Sequence, residues 1–182
     1  TYFVPSKLTA QDGMDVSLEN FEKVTIDGNV AATILGTTAS DTLVGDVGTD
    51  TITGRAGADT LTGGSRSDTF VFNTGDTGIT EATADTITDF STGNDKIDIA
   101  TVGSYVEADG SGNADLAAFI TDANASLPTT SIDIYAEYNF NGEGNTLVVI
   151  DEDKSGAVNT GDTLIILTGL STAGGLDASD FI

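Results

Sequence analysis

The sequence predicts an all-β chain: a solenoid of very short strands, continued by a β-rich C-terminal cap with one short helix. Three observations predict it. A nine-residue unit recurs four times between residues 36 and 71, as GTTASDTLV, GDVGTDTIT, GRAGADTLT and GGSRSDTFV. Apolar runs of strand length, TLVVI and LIIL, mark the last third of the chain. One stretch, NADLAAFITDANASL at 113–127, spaces its apolar residues as a helix does.

Each unit divides into a turn and a strand. Glycine opens it (Gly36, Gly45, Gly54, Gly63), and aspartate then threonine close the turn at Asp41, Asp50, Asp59 and Asp68. One large apolar residue follows at Leu43, Ile52, Leu61 and Phe70. The three-residue tails favour β-structure, and each can turn one side chain inward. A single unit therefore buries too little to fold alone, whereas stacked units build a solenoid.

Composition narrows the chemistry. The 182 residues suffice for a core, and 29 acidic residues against 6 basic ones give a formal charge of −23. Twenty-two of the acids are aspartate, which with 22 glycines points to turns and to oxygen ligands for hard cations. No basic stripe is available for nucleic acid, and an anionic membrane surface would repel the chain. The absence of histidine and cysteine excludes a Ser-His-Asp triad, a Cys-His pair, histidine-ligated zinc and disulfides within this chain. Carboxylate-pair glycoside hydrolysis survives composition, but no feature favours it. No apolar run approaches the ~18 residues of a membrane span. No signal peptide is visible at Thr1, and the chain reads as a piece of a longer polypeptide.

The units resemble the G-G-x-G-x-D-x-U-x repeats of RTX (repeats-in-toxin) proteins, which wind into a parallel β-roll with calcium in the turns. In that family each unit makes half a coil, so turns eighteen residues apart share an edge and hold one ion between them. The resemblance implies one Ca2+ site from Thr37, Ala39 and Asp41 with Gly54, Ala56 and Asp59. It implies a second from Asp46, Gly48 and Asp50 with Gly63, Ser65 and Asp68. The backbone carbonyls of Thr37, Ala39, Gly54, Ala56, Asp46, Gly48, Gly63 and Ser65 join the carboxylates of the four repeat aspartates, and six oxygens at each site suit calcium. The units depart from the pattern at Ala39 and Arg66 in position four, and only Gly64 is glycine at position two.

Upstream, the triplets Val24–Ile26 and Thr33–Leu35 read as degenerate coils, with Ala32 where the ligand aspartate would stand. Downstream, DTITDFSTGNDKIDIA resembles the segment that closes the roll in serralysin-type C-terminal domains. That resemblance implies further calcium ligands at Asp85 and Asp89 and leaves Asp95 and Asp98 open. The helix at 113–127 sets Leu116, Phe119, Ile120 and Ala123 on one face and is ended by Pro128.

A second cation signal is independent of the repeat. Residues 151–162, DEDKSGAVNTGD, follow the twelve-residue calcium-loop pattern. Asp151, Asp153 and Ser155 take positions one, three and five, the Ala157 carbonyl position seven, Asn159 nine and Asp162 twelve. The flanks read as strands, so the loop is expected at a β-hairpin tip, not between helices.

The sequence therefore divides into a degenerate roll lead-in (1–35), a calcium roll (36–80) and a cap (81–182). The cap carries the calcium loop and an acidic-apolar ending, Asp180-Phe181-Ile182, that resembles type I secretion signals. The last four residues, Ser179–Ile182, are expected to bury little area. The expected function is a non-catalytic, calcium-dependent module of a secreted S-layer or adhesin protein. Its expected partners are the type I (ABC) secretion machinery and, by self-association, its own copies in a surface lattice. The alternative parent is a secreted metalloprotease or lipase.

Overall fold

The structure, a computed structural model, describes residues 8–9, 14–17, 23–27, 31–99, 103–127 and 133–182. The helix-ending Pro128 and most of the first twenty-two residues lie outside them. Two sheets face each other across the roll. Strands β2 (Met14–Ser17), β4 (Ala32–Leu35), β6 (Thr51–Thr53), β8 (Thr69–Phe72) and β10 (Lys96–Ile99) form the five-stranded sheet. Strands β1 (Leu8–Thr9), β3 (Lys23–Asp27), β5 (Thr42–Asp46), β7 (Thr60–Gly64) and β9 (Asp85–Ile87) begin the nine-stranded one. All of these pairings are parallel, and successive units alternate between the sheets. This is the parallel β-roll.

Register explains why the repeat tolerates no slip. Leu43 pairs with Leu61 and Leu61 with Ile87 in one sheet, while Ile34, Ile52, Phe70 and Ile97 follow one another in the other. All seven are fully buried. With a side-chain period of two, a one-residue shift would turn this whole row outward. The threonines just before them, Thr33, Thr42, Thr51, Thr60, Thr69 and Thr86, face outward and are half-buried.

The winding does not stop at residue 80. β9 and β10 are two more half-coils, set off by the longer segments 73–84 and 88–95. The nine-stranded sheet then runs on through β14 (Thr163–Leu167), β13 (Asn145–Asp151), β12 (Asp133–Phe140) and β11 (Ser104–Asp109). β14 joins β9 in parallel, and β12, β13 and β14 are antiparallel. The cap thus extends the roll's own sheet. One of its faces joins the roll core through Ile134, Ala136, Val148, Ile150, Ile165 and Leu167. The other receives helix α1 (Leu116–Ser126), whose Phe119 and Ala123 pack against Tyr135, Phe140 and Val149. Asp115 caps the helix by accepting from Ala118 N. No helix among the described residues is long and apolar enough to cross a membrane.

The chain ending departs from expectation. Phe181 is 3% exposed and Asp180 1%, so these two residues are buried although the final Ile182 is not. Phe181 bridges to Ile97 and stacks at 5.7 Å on Tyr105, and Ile182 N donates to Ile97 O. Asp180 accepts from Gly93 N and pairs with Lys96. An acidic-apolar tail reads as detachable in sequence. Here the open lower end of the roll gives its aromatic ring a place to bury.

Candidate metal centre

Winding puts the repeat aspartates in two columns. On one edge Asp41 N donates to Asp59 Oδ1 and Asp59 N to Asp85 Oδ1, at 2.7 and 2.8 Å. On the other, Ala32 N donates to Asp50 Oδ1, Asp50 N to Asp68 Oδ1 and Asp68 N to Asp95 Oδ1, at 2.8 to 2.9 Å. Every one of these aspartates but Asp41 therefore accepts from the backbone one coil back. Ala32 takes the rung position with no carboxylate to offer, as its place in the sequence implies. All six aspartates are 3% exposed or less.

One carboxylate oxygen remains over on most rungs. Asp41 Oδ1 and the Oδ2 atoms of Asp50, Asp59, Asp68 and Asp85 are buried without a hydrogen-bond partner. Such atoms are rare in folded proteins and costly to bury. Burial, followed by neighbouring carboxylates, pushes Asp85 up to about 8 and Asp59 and Asp68 up to about 6, against the Asp41, Asp59 and Asp50 backbone N–H bonds. Asp50 and Asp95 shift upward for the same first reason. A column of acids that resists ionising together, with unpartnered oxygens, is a donor set that a hard divalent cation fits.

The opening glycines follow from the same geometry. A methyl group added to Gly45 or Gly63 would lie 2.5 Å from the Oδ2 of Asp50 or Asp68, and one on Gly54 would meet Asp59 Oδ2. The carboxylate occupies the space of a Cβ. In the last three units position two has positive φ, at 124° for Asp46, 70° for Arg55 and 102° for Gly64, so glycine suits it best there.

The sets expected from the repeat are brought together turn by turn. The turn holding Thr37, Ala39 and Asp41 stacks on the one holding Gly54, Ala56 and Asp59, with Gly36 N bonded to Thr53 O and Ala58 N to Ser40 Oγ. In this first turn Thr37 differs from the other units, because its N and Oγ1 both donate to Asp41 Oδ2. The turn with Asp46, Gly48 and Asp50 stacks on that with Gly63, Ser65 and Asp68, and Ser65 N donates to Asp46 O at 2.6 Å.

Asp85 and Asp89 do not share a site. Asp85 is the third rung of the first edge, whereas Asp89 ties down the second, accepting from Gly63 N and Gly64 N. Asp95 is a rung and Asp98 faces outward from β10, half-buried. Asp95 was legible in principle: ADTI and NDKI repeat the aspartate-x-apolar tail of each unit. The 26- and 27-residue spacings to Asp85 and Asp95 hide it.

The loop 151–162 crosses from β13 to β14 at a hairpin tip, as expected. Single oxygens of Asp151, Asp153 and Asp162 all lie within 4.8 Å of one another. Asn159 Nδ2 sits 3.0 Å from each of Asp153 Oδ2, Ser155 Oγ and the Ala157 carbonyl, so four expected ligand positions converge on one point. Asp151 accepts from Ser155 N and Gly156 N, and Asp162 from Glu152 N and Asn159 N. Burial raises Asp162 to about 6. Asn124 on α1 holds the loop from outside, accepting from Val158 N at 2.6 Å.

Residues 35–70 match the family model of the RTX calcium-binding nonapeptide repeat, in four copies. The chain thus carries an RTX repeat array wound as a β-roll, and this array binds calcium. Among solved structures, the solution structure of the AlgE6R3 subunit from the Azotobacter vinelandii mannuronan C5-epimerase is similar, with 19% identity and a TM-score of 0.33. The similarity covers 84% of this chain and 77% of that one. No curated protein matches the chain.

Proposed function

We propose that this chain is a non-catalytic module of a secreted protein that folds on meeting extracellular calcium and carries a type I secretion signal at its end. The observation that carries the calcium dependence is the set of five buried, unpartnered aspartate oxygens on the two roll edges. Sites of the extracellular class, with Kd ~10⁻⁴–10⁻³ M, are empty at cytosolic calcium. With −23 formal charges and these carboxylates unneutralised, the chain then repels itself and stays threadable. Ion binding to the folded state alone adds its free energy to folding outside the cell.

A surface-layer or adhesin parent suits the threonine-lined outer strands and the lack of histidine and cysteine. Self-association in a lattice is part of that reading. An H-E-x-x-H helix or a G-x-S-x-G elbow upstream would instead support the protease or lipase parent. The export part is tested with a passenger protein fused ahead of the chain in cells carrying a type I exporter. Removing residues 179–182 should hold the fusion inside, whereas a fusion with Asp50 and Asp59 replaced by Ala should leave the cell, fold poorly and be degraded outside. Normal secretion of the truncated fusion would place the signal elsewhere.

A further inference from the structure

Among the described residues β10 has one strand neighbour, β8, and ends the five-stranded sheet. Its outer edge is closed by the chain's own tail. Ile182 N donates to Ile97 O and Ile99 N to Ile182 O, each at 3.0 Å, and Phe181 bridges Ile97 in parallel. A further strand of the sheet would make these bonds; here a short stub makes them.

The tail stands in for a neighbouring strand contact by contact. Phe181 lies beside the inward Ile97, and both are 3% exposed or less. Asp180 Oδ1 sits 3.5 Å from Lys96 Nζ and accepts from Gly93 N at 3.0 Å. Asp177 and Asp180 cap each other across the turn Ala178–Asp180, which shapes the tail for this seat. Without it, β10 would present unpaired backbone groups and a bare Ile97. Such an edge recruits other chains.

The residues of β10 say which chain fits. Lys96-Ile97-Asp98-Ile99 alternates half-buried outward residues with buried inward ones. Two copies set antiparallel about a two-fold axis at Ile97 bring the two Ile97 side chains together on the inward face. Lys96 of each copy then stands opposite Asp98 of the other, which gives two opposite-charge pairs on the outward face. The Ile97 carbonyl and Ile99 N–H that the tail now satisfies face this partner.

We propose that β10 is a self-pairing edge for a second copy of this chain, held closed by the strap 177–182. A two-fold pairing of one edge with itself closes at two copies, so release of the strap gives a dimer and not a filament. The inference rests on the roll fold and is separate from the calcium and export readings.

Sedimentation velocity in saturating calcium tests it on the full chain and on one lacking residues 179–182. The shortened chain should form dimers at ~100 μM that the full chain does not form, as suits a small interface. Lys96→Asp in the shortened chain sets like charges across the axis and should weaken the dimer about tenfold or more. Adding Asp98→Lys exchanges the pair and should restore it. Excess peptide of the sequence DASDFI should return the dimer to monomer. A shortened chain that stays monomeric would overturn the proposal, and so would dimers indifferent to Lys96→Asp, which would use another surface. If circular dichroism shows the shortened chain unfolded, full-length Asp180→Lys takes its place, since it sets a like charge against Lys96 and loosens the strap. That variant should dimerise, and a monomer would overturn the proposal equally.

Discussion

Asp59→Ala should lower the thermal midpoint in saturating calcium by roughly 5–10 °C and raise the calcium needed for folding about tenfold. Asp59 is an inner rung, receiving Asp41 N below and donating its own N–H to Asp85 above. Removing it leaves the buried Asp41 N–H without an acceptor, a loss of roughly 1–3 kcal/mol before any ion is counted. It also deletes a donor oxygen from the middle of the column, so stacked turns lose their coupling. Asp162→Ala should cost less, because Asp162 accepts only from Glu152 N and Asn159 N at one hairpin tip. Calcium titrations followed by circular dichroism check the order. Equal midpoints for the two variants would argue against a continuous ladder.

Phe181→Ala should destabilise the folded module by about 3–5 kcal/mol, the range for emptying a buried Phe site, and so lower the midpoint by roughly 10 °C or more. The ring is 3% exposed, packs on Tyr105 and sits beside Ile97, an inward residue of β10. Replacing Ile182, which is 51% exposed, should change the midpoint by well under half of that. Thermal melts of both variants in saturating calcium measure the contrast. A Phe181→Ala melt equal to wild type would mean that the tail is an accessory to the fold, as its sequence alone suggests.

What the sequence revealed and what it hid follow one rule: local periodicity is legible, and register across an insertion is not. The aspartate and apolar offsets in 36–71 imply the stacked strands and the inward row Leu43, Ile52, Leu61 and Phe70, and the resemblance to the RTX repeat implies the two edges. The loop at 151–162 was legible because the acidic residues it brings together are near neighbours in the chain. Asp95 stayed open, because segments 73–84 and 88–95 break the nine-residue count while the structure restores the rung. Asp89 illustrates a different limit. Its residue type suits a ligand, but its two oxygens are spent on Gly63 N and Gly64 N, which only the folded turns place within reach. Phe181 was misjudged since four residues of ordinary composition carry no sign of the cavity waiting for them at the end of the roll.

The central claim is that the roll's buried carboxylates make folding depend on calcium, and far-ultraviolet circular dichroism tests it most directly. In excess chelator at neutral pH the chain should be largely disordered. Adding millimolar calcium should produce β-structure in a steep transition that magnesium, with its tighter octahedral geometry, fails to reproduce. Equal β-content in chelator and in calcium would contradict the account, because the fold would then tolerate its unpartnered aspartate oxygens without an ion.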